Sequence, residues 1–161
     1  MMKDSKTMQK QKSSSQNVQG SDVWLVLIKA YHSLLAYTAD TLRENGLGDS
    51  DFRLLEALLH KGVMPVNAIG AKVYLSPASV SVAVDRLLQQ GLVSRTESKE
   101  DRRVKLVALT ASGKKLIERV FRAHREQMDA LMAEFPAKER RRLREGLKEL
   151  GKRAEVSGAS Q

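Results

Sequence analysis

Cysteine is absent from the 161 residues. That excludes disulfides, thiolate zinc sites, iron–sulfur clusters and sensing by thiol oxidation. Aromatic residues make up only 4% of the chain, so a large aromatic core is excluded as well. No long hydrophobic run exists. The longest uninterrupted one, Val23–Ile28, falls far short of the ~20 residues a membrane helix needs. No apolar signal core follows the N-terminal lysines, and the expectation is a soluble, cytoplasmic protein with no membrane partner. The three histidines, His32, His60 and His124, are scattered, and only the loose His124/Glu126 neighbourhood hints at chelation, so no metal is expected. No nucleophile–base pair and no glycine-rich phosphate loop is visible, so the reading is a non-enzyme without cofactor. Negative charge is also scarce. Lys+Arg 28 against Asp+Glu 19 leaves +9, which makes a polyanion the first partner to consider.

What is present is mostly helical periodicity. Residues 1–20 are Ser, Gln and Lys without aromatic or period, and are expected to be a disordered basic tail, either simply solvated or touching phosphate. A first helix is predicted from Asp22 to Glu44, capped by Ser21, with Trp24, Leu27, Ile28, Tyr31, Leu34, Leu35 and Leu42 as its stripe. Asn45-Gly46 supplies the stop. A second helix follows Ser50 and runs from Asp51 to about His60. Val63–Val66 is extended around Pro65, and a short helix covers Asn67 to Lys72 with Asn67 as cap. Ser76-Pro77 is a strong start signal for the next helix, since proline at the first position lacks an amide that would have no partner anyway. That helix ends at Gly91, burying Val80, Val84, Leu87 and Leu88. The period then changes from 3.6 to 2, predicting strands at Leu92–Thr96 and Val104–Leu109 around a charged tip, Glu97–Arg103. Thr110 caps a helix to about Glu134; Pro136 breaks it and restarts a last one to about Glu155, with Leu143, Leu147 and Leu150 turned inward. Residues 156–161 read as a disordered tail.

Helix, short helix, tight turn, helix and basic hairpin together make a winged helix-turn-helix. The fold class is therefore mainly α with a small β-hairpin wing (α+β). Residues 49–111 form the DNA-binding domain, flanked by dimerisation helices at 21–48 and 112–155. The helix led by Ser76 is slim enough on its polar face to enter a major groove of double-stranded DNA. Its serine hydroxyls can meet base edges or phosphates, and Lys99, Arg102 and Arg103 on the hairpin tip can follow the backbone or enter a minor groove. Lys72 reads equally as a phosphate contact or a solvated side chain. The terminal helices carry more apolar face than one small winged domain covers, which argues for pairing with a second copy through Leu143, Leu147 and Leu150.

The run Asp85-Arg86-Leu87, Gly91-Leu92-Val93, Arg95, Asp101-Arg102-Arg103 and Leu109-Thr110 resembles the signature of the MarR family (multiple antibiotic resistance regulators), over about Val23 to Arg153. The resemblance implies a homodimeric transcriptional regulator, usually a repressor, on a pseudo-palindromic operator. It also implies a small ligand that alters the spacing of the two lobes. By position, Ser76, Pro77, Ser79, Ser81 and Arg86 match DNA-facing residues, Arg103 matches the minor-groove arginine of the wing, and Asp101 matches an acidic residue that braces the wing by pairing with an arginine. Arg86 stands between phosphate binding and pairing with Asp101. Ser79 and Ser81 stand between base readers and inert surface.

Two further stretches have two readings each. Trp24, Tyr31, His32 and Tyr37 line either a pocket for an aromatic or phenolic effector or the dimer core. Lys138–Arg144 is either a second basic patch or the wet face of a dimerising helix. The alternative function is a sequence-nonspecific architectural nucleic-acid-binding protein, which the net charge alone would permit.

Overall fold

A computed structural model describes residues 18–158; most of the expected N-terminal tail, and 159–161, lie outside them. Among the described residues the order is α1 (Gly20–Glu44), α2 (Asp49–Lys61), β1 (Met64–Pro65), α3 (Val66–Val73), α4 (Pro77–Gln89), β2 (Val93–Glu97), β3 (Lys105–Leu109), α5 (Ala111–Ala133) and α6 (Ala137–Gly158). The expected helices are all present, but their first turns differ from the prediction. Asp22 reaches back from the third position of α1 to the Gln19 amide at 3.4 Å, so Ser21 lies inside the helix instead of capping it. Gly48 opens α2, with Asp51 accepting its amide at 3.0 Å, and Pro65 precedes α3, leaving Asn67 within that helix. Val156–Gly158, expected as tail, continue α6.

The chain divides at Tyr37: residues up to Tyr37 form one unit and Thr38–Gln161 the other. In the first unit α1 leaves Val23, Trp24, Leu25 and Val26 exposed, with Leu27, Ile28, Leu34 and Leu35 partly covered.

The second unit is organised by the apolar faces of α2, α3 and α4, which meet the sheet and the front of α5. Leu54 and Leu55 of α2, Ile69 of α3, Leu87 of α4, Val107 of β3 and Ile117 of α5 are all fully removed from water. The sheet has three strands, not two, in the order β1–β3–β2 and antiparallel throughout. Val93 to Glu97 pair with Leu109 to Lys105, and Met64 faces Val107 on the other edge. The extended segment at Pro65 thus finishes the sheet as an edge strand, where a missing amide is tolerated.

The wing is joined to α5 by close approach. A Cβ on Gly113 would lie 1.8 Å from the Leu92 carbonyl oxygen, so only glycine fits. Thr110 caps α5 by accepting the Gly113 amide at 3.0 Å, and the Thr110 and Ser112 hydroxyls both donate to the Gly91 carbonyl. The end of α4, the start of the wing and the start of α5 therefore share one hydrogen-bonded corner. Among the described residues no helix is long and apolar enough to cross a membrane.

Candidate nucleic-acid interface

α4 is anchored on one side and bare on the other. Val80, Ala83, Val84 and Leu87 are buried, while Pro77, Ala78, Ser81, Val82 and Asp85 are exposed. The exposed side chains are short, so the helix stays near its minimum diameter, which matches a major groove ~12 Å wide. Ser76 caps it: its Oγ accepts the Ser79 amide at 3.1 Å and lies 2.8 Å from the Ser79 Oγ. Ser76 and half-buried Ser79 are thus tied to each other, and Ser81 is the freer hydroxyl.

Arg86 corrects the sequence reading. Its guanidinium is neither a free cation nor a partner of Asp101. The Nε donates to both oxygens of Asp51 at 3.0 Å, and Nη2 donates to Asp51 at 2.7 Å and to Ser50 Oγ at 3.2 Å. Asp51 is only 1% exposed and closes the first turn of α2 with the same carboxylate. One buried group therefore fixes the start of α2 and the angle at which α4 leaves it. The hydrogen bonds that it donates to Asp51, reinforced by that carboxylate's charge, hold the Arg86 guanidinium above the ordinary arginine range against the opposing effect of burial.

The wing tip is pre-shaped by its own backbone. Ser98 N–H donates to the Val104 carbonyl and Val104 N–H to that of Asp101, both at 2.9 Å. Ser98 Oγ accepts the Glu100 amide at 3.2 Å, and Asp101 Oδ1 accepts the Arg103 amide at 2.9 Å. Asp101 thus holds a backbone amide of the tip and pairs with no arginine side chain among the described residues. Lys99, Arg102 and Arg103 remain exposed, without an ion-pair partner among the described residues. Glu97 and Lys105 pair across the strands at 2.7 Å, and Arg95 reaches Asp85 of α4 at 3.2 Å, joining wing to helix. A cleft of about 440 Å³ lies between α3, the start of α4 and the wing, with Asn67, Ser81, Arg103 and Lys105 on its rim. The start of α4, through Ser81, and the wing, through Arg103 and Lys105, thus meet at one cleft.

Comparison with known proteins agrees with this geometry. The profile described as MarR family matches residues 47–105. The chain is 33% identical over 129 residues to the HTH-type transcriptional regulator MhqR of Bacillus subtilis, covering 80% of this chain and 89% of that one. The chain belongs to the MarR family. Two solved structures share the fold of this MarR regulator. BpsR of Bordetella bronchiseptica has a TM-score of 0.74 at 23% identity, covering 80% of this chain and 98% of that one. NadR in complex with 4-hydroxyphenylacetate has 0.69 at 24%, covering 86% and 96%.

The remaining expected site residues of this MarR regulator lie exposed. Trp24, Tyr31, His32 and Tyr37 are all exposed, with the Tyr31 and His32 rings edge-on at 5.7 Å. Leu143, Leu147 and Leu150 are not turned inward against their own chain; α6 buries no residue at all. Among the described residues no cluster of three metal-ligating side chains forms. Asp51 was missed because its partner lies 35 residues away. Two buried polar atoms on α5, His124 Nδ1 and Gln127 Oε1, lack partners among the described residues, and the His124 ring meets Phe52 edge-on at 4.7 Å. The sequence marks His124 as part of the loose His124/Glu126 neighbourhood, and it does not mark Gln127.

Proposed function

We infer that two copies of this chain pair through their terminal helices and place two α4 helices in successive major grooves of a pseudo-palindromic operator, acting as a repressor where that operator overlaps a promoter. One observation carries the reading: α4 is locked by the Arg86–Asp51 pair, while exposed Ser81 and the exposed wing cation Arg103 line one cleft between α4 and the wing. A helix held this way loses little freedom on docking, and the wing supplies phosphate contacts that carry no sequence information. The uncovered α6 stripe supports dimerisation, since a closed two-fold pair would cover it twice.

The effector in this reading is a small hydroxylated aromatic acid. NadR was solved with 4-hydroxyphenylacetate, and DNA binding by BpsR is regulated by 6-hydroxynicotinic acid. In this chain His124 and Gln127 offer a buried imidazole nitrogen and amide oxygen, one turn apart beside an aromatic ring, to which the hydroxyl or carboxyl of such an acid could bond. The exposed Trp24, Tyr31, His32 and Tyr37 are the other groups suited to aromatic rings.

Selection of duplexes from a random pool by the full-length protein tests the core of this reading. The expected result is an enriched inverted repeat with half-sites roughly 10 bp apart. With on the order of 8 phosphates neutralised, log affinity should fall against log salt with a slope of about −7. Enrichment of nothing, with equal binding to every duplex, would support the architectural alternative. Release of the selected duplex by 4-hydroxyphenylacetate or 6-hydroxynicotinate, and not by benzoate, tests the effector class.

A further inference from the structure

Tyr74 occupies a backbone position that glycine or asparagine suits better. With φ 54° and ψ 44° it is left-handed, and it is the only non-glycine residue at positive φ among the described residues. There the Cβ of a bulky side chain crowds the following carbonyl. Glycine or asparagine would fill such a helix end with less strain.

The surroundings over-determine this conformation. The amides of Tyr74 and Leu75 both donate to the Gly70 carbonyl, the latter at 3.1 Å. Gly70 itself has no room for a Cβ, which would meet the Leu75 carbonyl oxygen at 2.9 Å. Arg53 of α2, paired with Asp49, donates through Nη1 to the Val73 carbonyl at 3.1 Å. Hydrogen bonds from both sides and a steric limit thus hold the turn in which Tyr74 sits. The side chain gains nothing from the fold in return. It is 86% exposed, and its hydroxyl has no partner among the described residues. Strain kept in place around an exposed aromatic points to a use outside the folded chain.

The location indicates which use. Tyr74 lies two residues before Ser76, on the turn that leads into α4, with exposed Lys72 just ahead of it. It precedes α4, which begins at Pro77, and so stands at the N-terminal flank of the groove-entering helix, off the face that carries Ser81 and Asp85. At the flank of such a helix runs a sugar–phosphate strand.

We propose that Tyr74 is a DNA-backbone contact: its ring packs on a deoxyribose and its hydroxyl donates to a phosphate oxygen beside the groove that α4 enters, setting the depth of that helix. This deepens the DNA-binding reading above and rests on it. The contact is independent of sequence, and it carries no charge, so it adds nothing to the salt dependence.

The test uses full-length protein with the duplex it selects and a scrambled duplex of equal length. Tyr74→Phe should weaken both by about 10-fold, since each dimer loses two hydrogen bonds. Tyr74→Asn should weaken both by about 10- to 100-fold while its Tm stays equal to wild type or rises by about 2–4 °C, because strain is relieved and almost no packing is lost. Wild-type affinity in either variant would overturn the proposal. So would a lowered Tm in Tyr74→Asn, which would make the ring structural, or a changed ratio between selected and scrambled duplex, which would make it a base contact. If selection enriches no sequence, the operator reading fails alone; the losses on random duplex still decide the role of Tyr74.

Discussion

Leu54, Leu55 and Leu58 on α2 and Leu143, Leu147 and Leu150 on α6 each fall on one face of their helix, yet the first three are removed from water and the second three stay 46, 45 and 42% exposed. The difference lies in what surrounds them. α2 is bracketed by α3, α4, α5 and β3, whereas among the described residues no part of α6 is buried. An apolar stripe says that a helix face is to be covered; it does not say by which chain. The winged head completes its own core and can hold α4 rigid within a single copy. In the dimer proposed above, a second copy of the same stripe covers α6, the simplest cover of matching length and chemistry.

Placing a charge on the open stripe should separate the two regions most sharply. Leu147→Asp is expected to abolish the dimer in sedimentation while leaving the thermal melting of the head nearly intact. Affinity for a two-half-site operator should fall by about 100-fold or more, because the second half-site loses its effective concentration. A dimer that survives this substitution would remove α6 from the interface. The opposite disturbance is Leu87→Ala, at a fully buried position of α4. It should cost about 2–5 kcal/mol, with Tm lowered by about 2–4 °C for each kcal/mol, and without changing the oligomeric state below the transition. Calorimetry and light scattering on the two variants would show whether head and terminal helix fail independently.

How far the sequence could be read follows the same division. Ser76-Pro77 announced α4 because capping is local chemistry, and Thr110 announced α5 for the same reason. The third strand escaped because Met64 pairs with Val107 far along the chain, and a two-residue edge strand has no period of its own. Arg86 was legible as an important cation, but its partner was not: Asp51 looked like an ordinary first-turn acid. The resemblance implies that Asp101 pairs with an arginine, whereas the group it holds is a backbone amide, which almost any residue could supply. Tyr74 gave no warning, since tyrosine is not a residue from which a left-handed turn is expected.

A smaller effect tests how the head holds its helix. Asp51→Asn keeps the shape of the side chain and removes its charge from beneath Arg86. Because the Arg86 side chain is 42% exposed and partly screened, the loss should be about 1–3 kcal/mol, less than for a fully buried pair. The raised guanidinium pKa places the stabilisation from Arg86 below that raised value and its loss only in strong alkali. The contribution of that group is therefore constant from about pH 6 to 9, and a gap between wild type and variant that closed in this interval would implicate another titrating group. α4 would also lose its fixed angle, so affinity for the selected duplex should drop more than affinity for random DNA.

The mildest change acts on the wing alone. Arg103 shares with Lys99 and Arg102 an exposed position without an acidic partner among the described residues, and its backbone amide is already held by Asp101. Arg103→Ala therefore removes a cation without disturbing the turn that carries it. Affinity should fall several-fold, melting temperature and dimer should stay unchanged, and the salt slope should become shallower by about 1 for each phosphate that the dimer no longer neutralises. Arg86 makes the informative contrast. Arg86→Ala leaves Asp51 buried without its partner, so it should lower stability first and DNA binding through it. If Arg103→Ala lowered stability in the same way, the wing would belong to the core. If it left affinity untouched, α4 would bind without the wing.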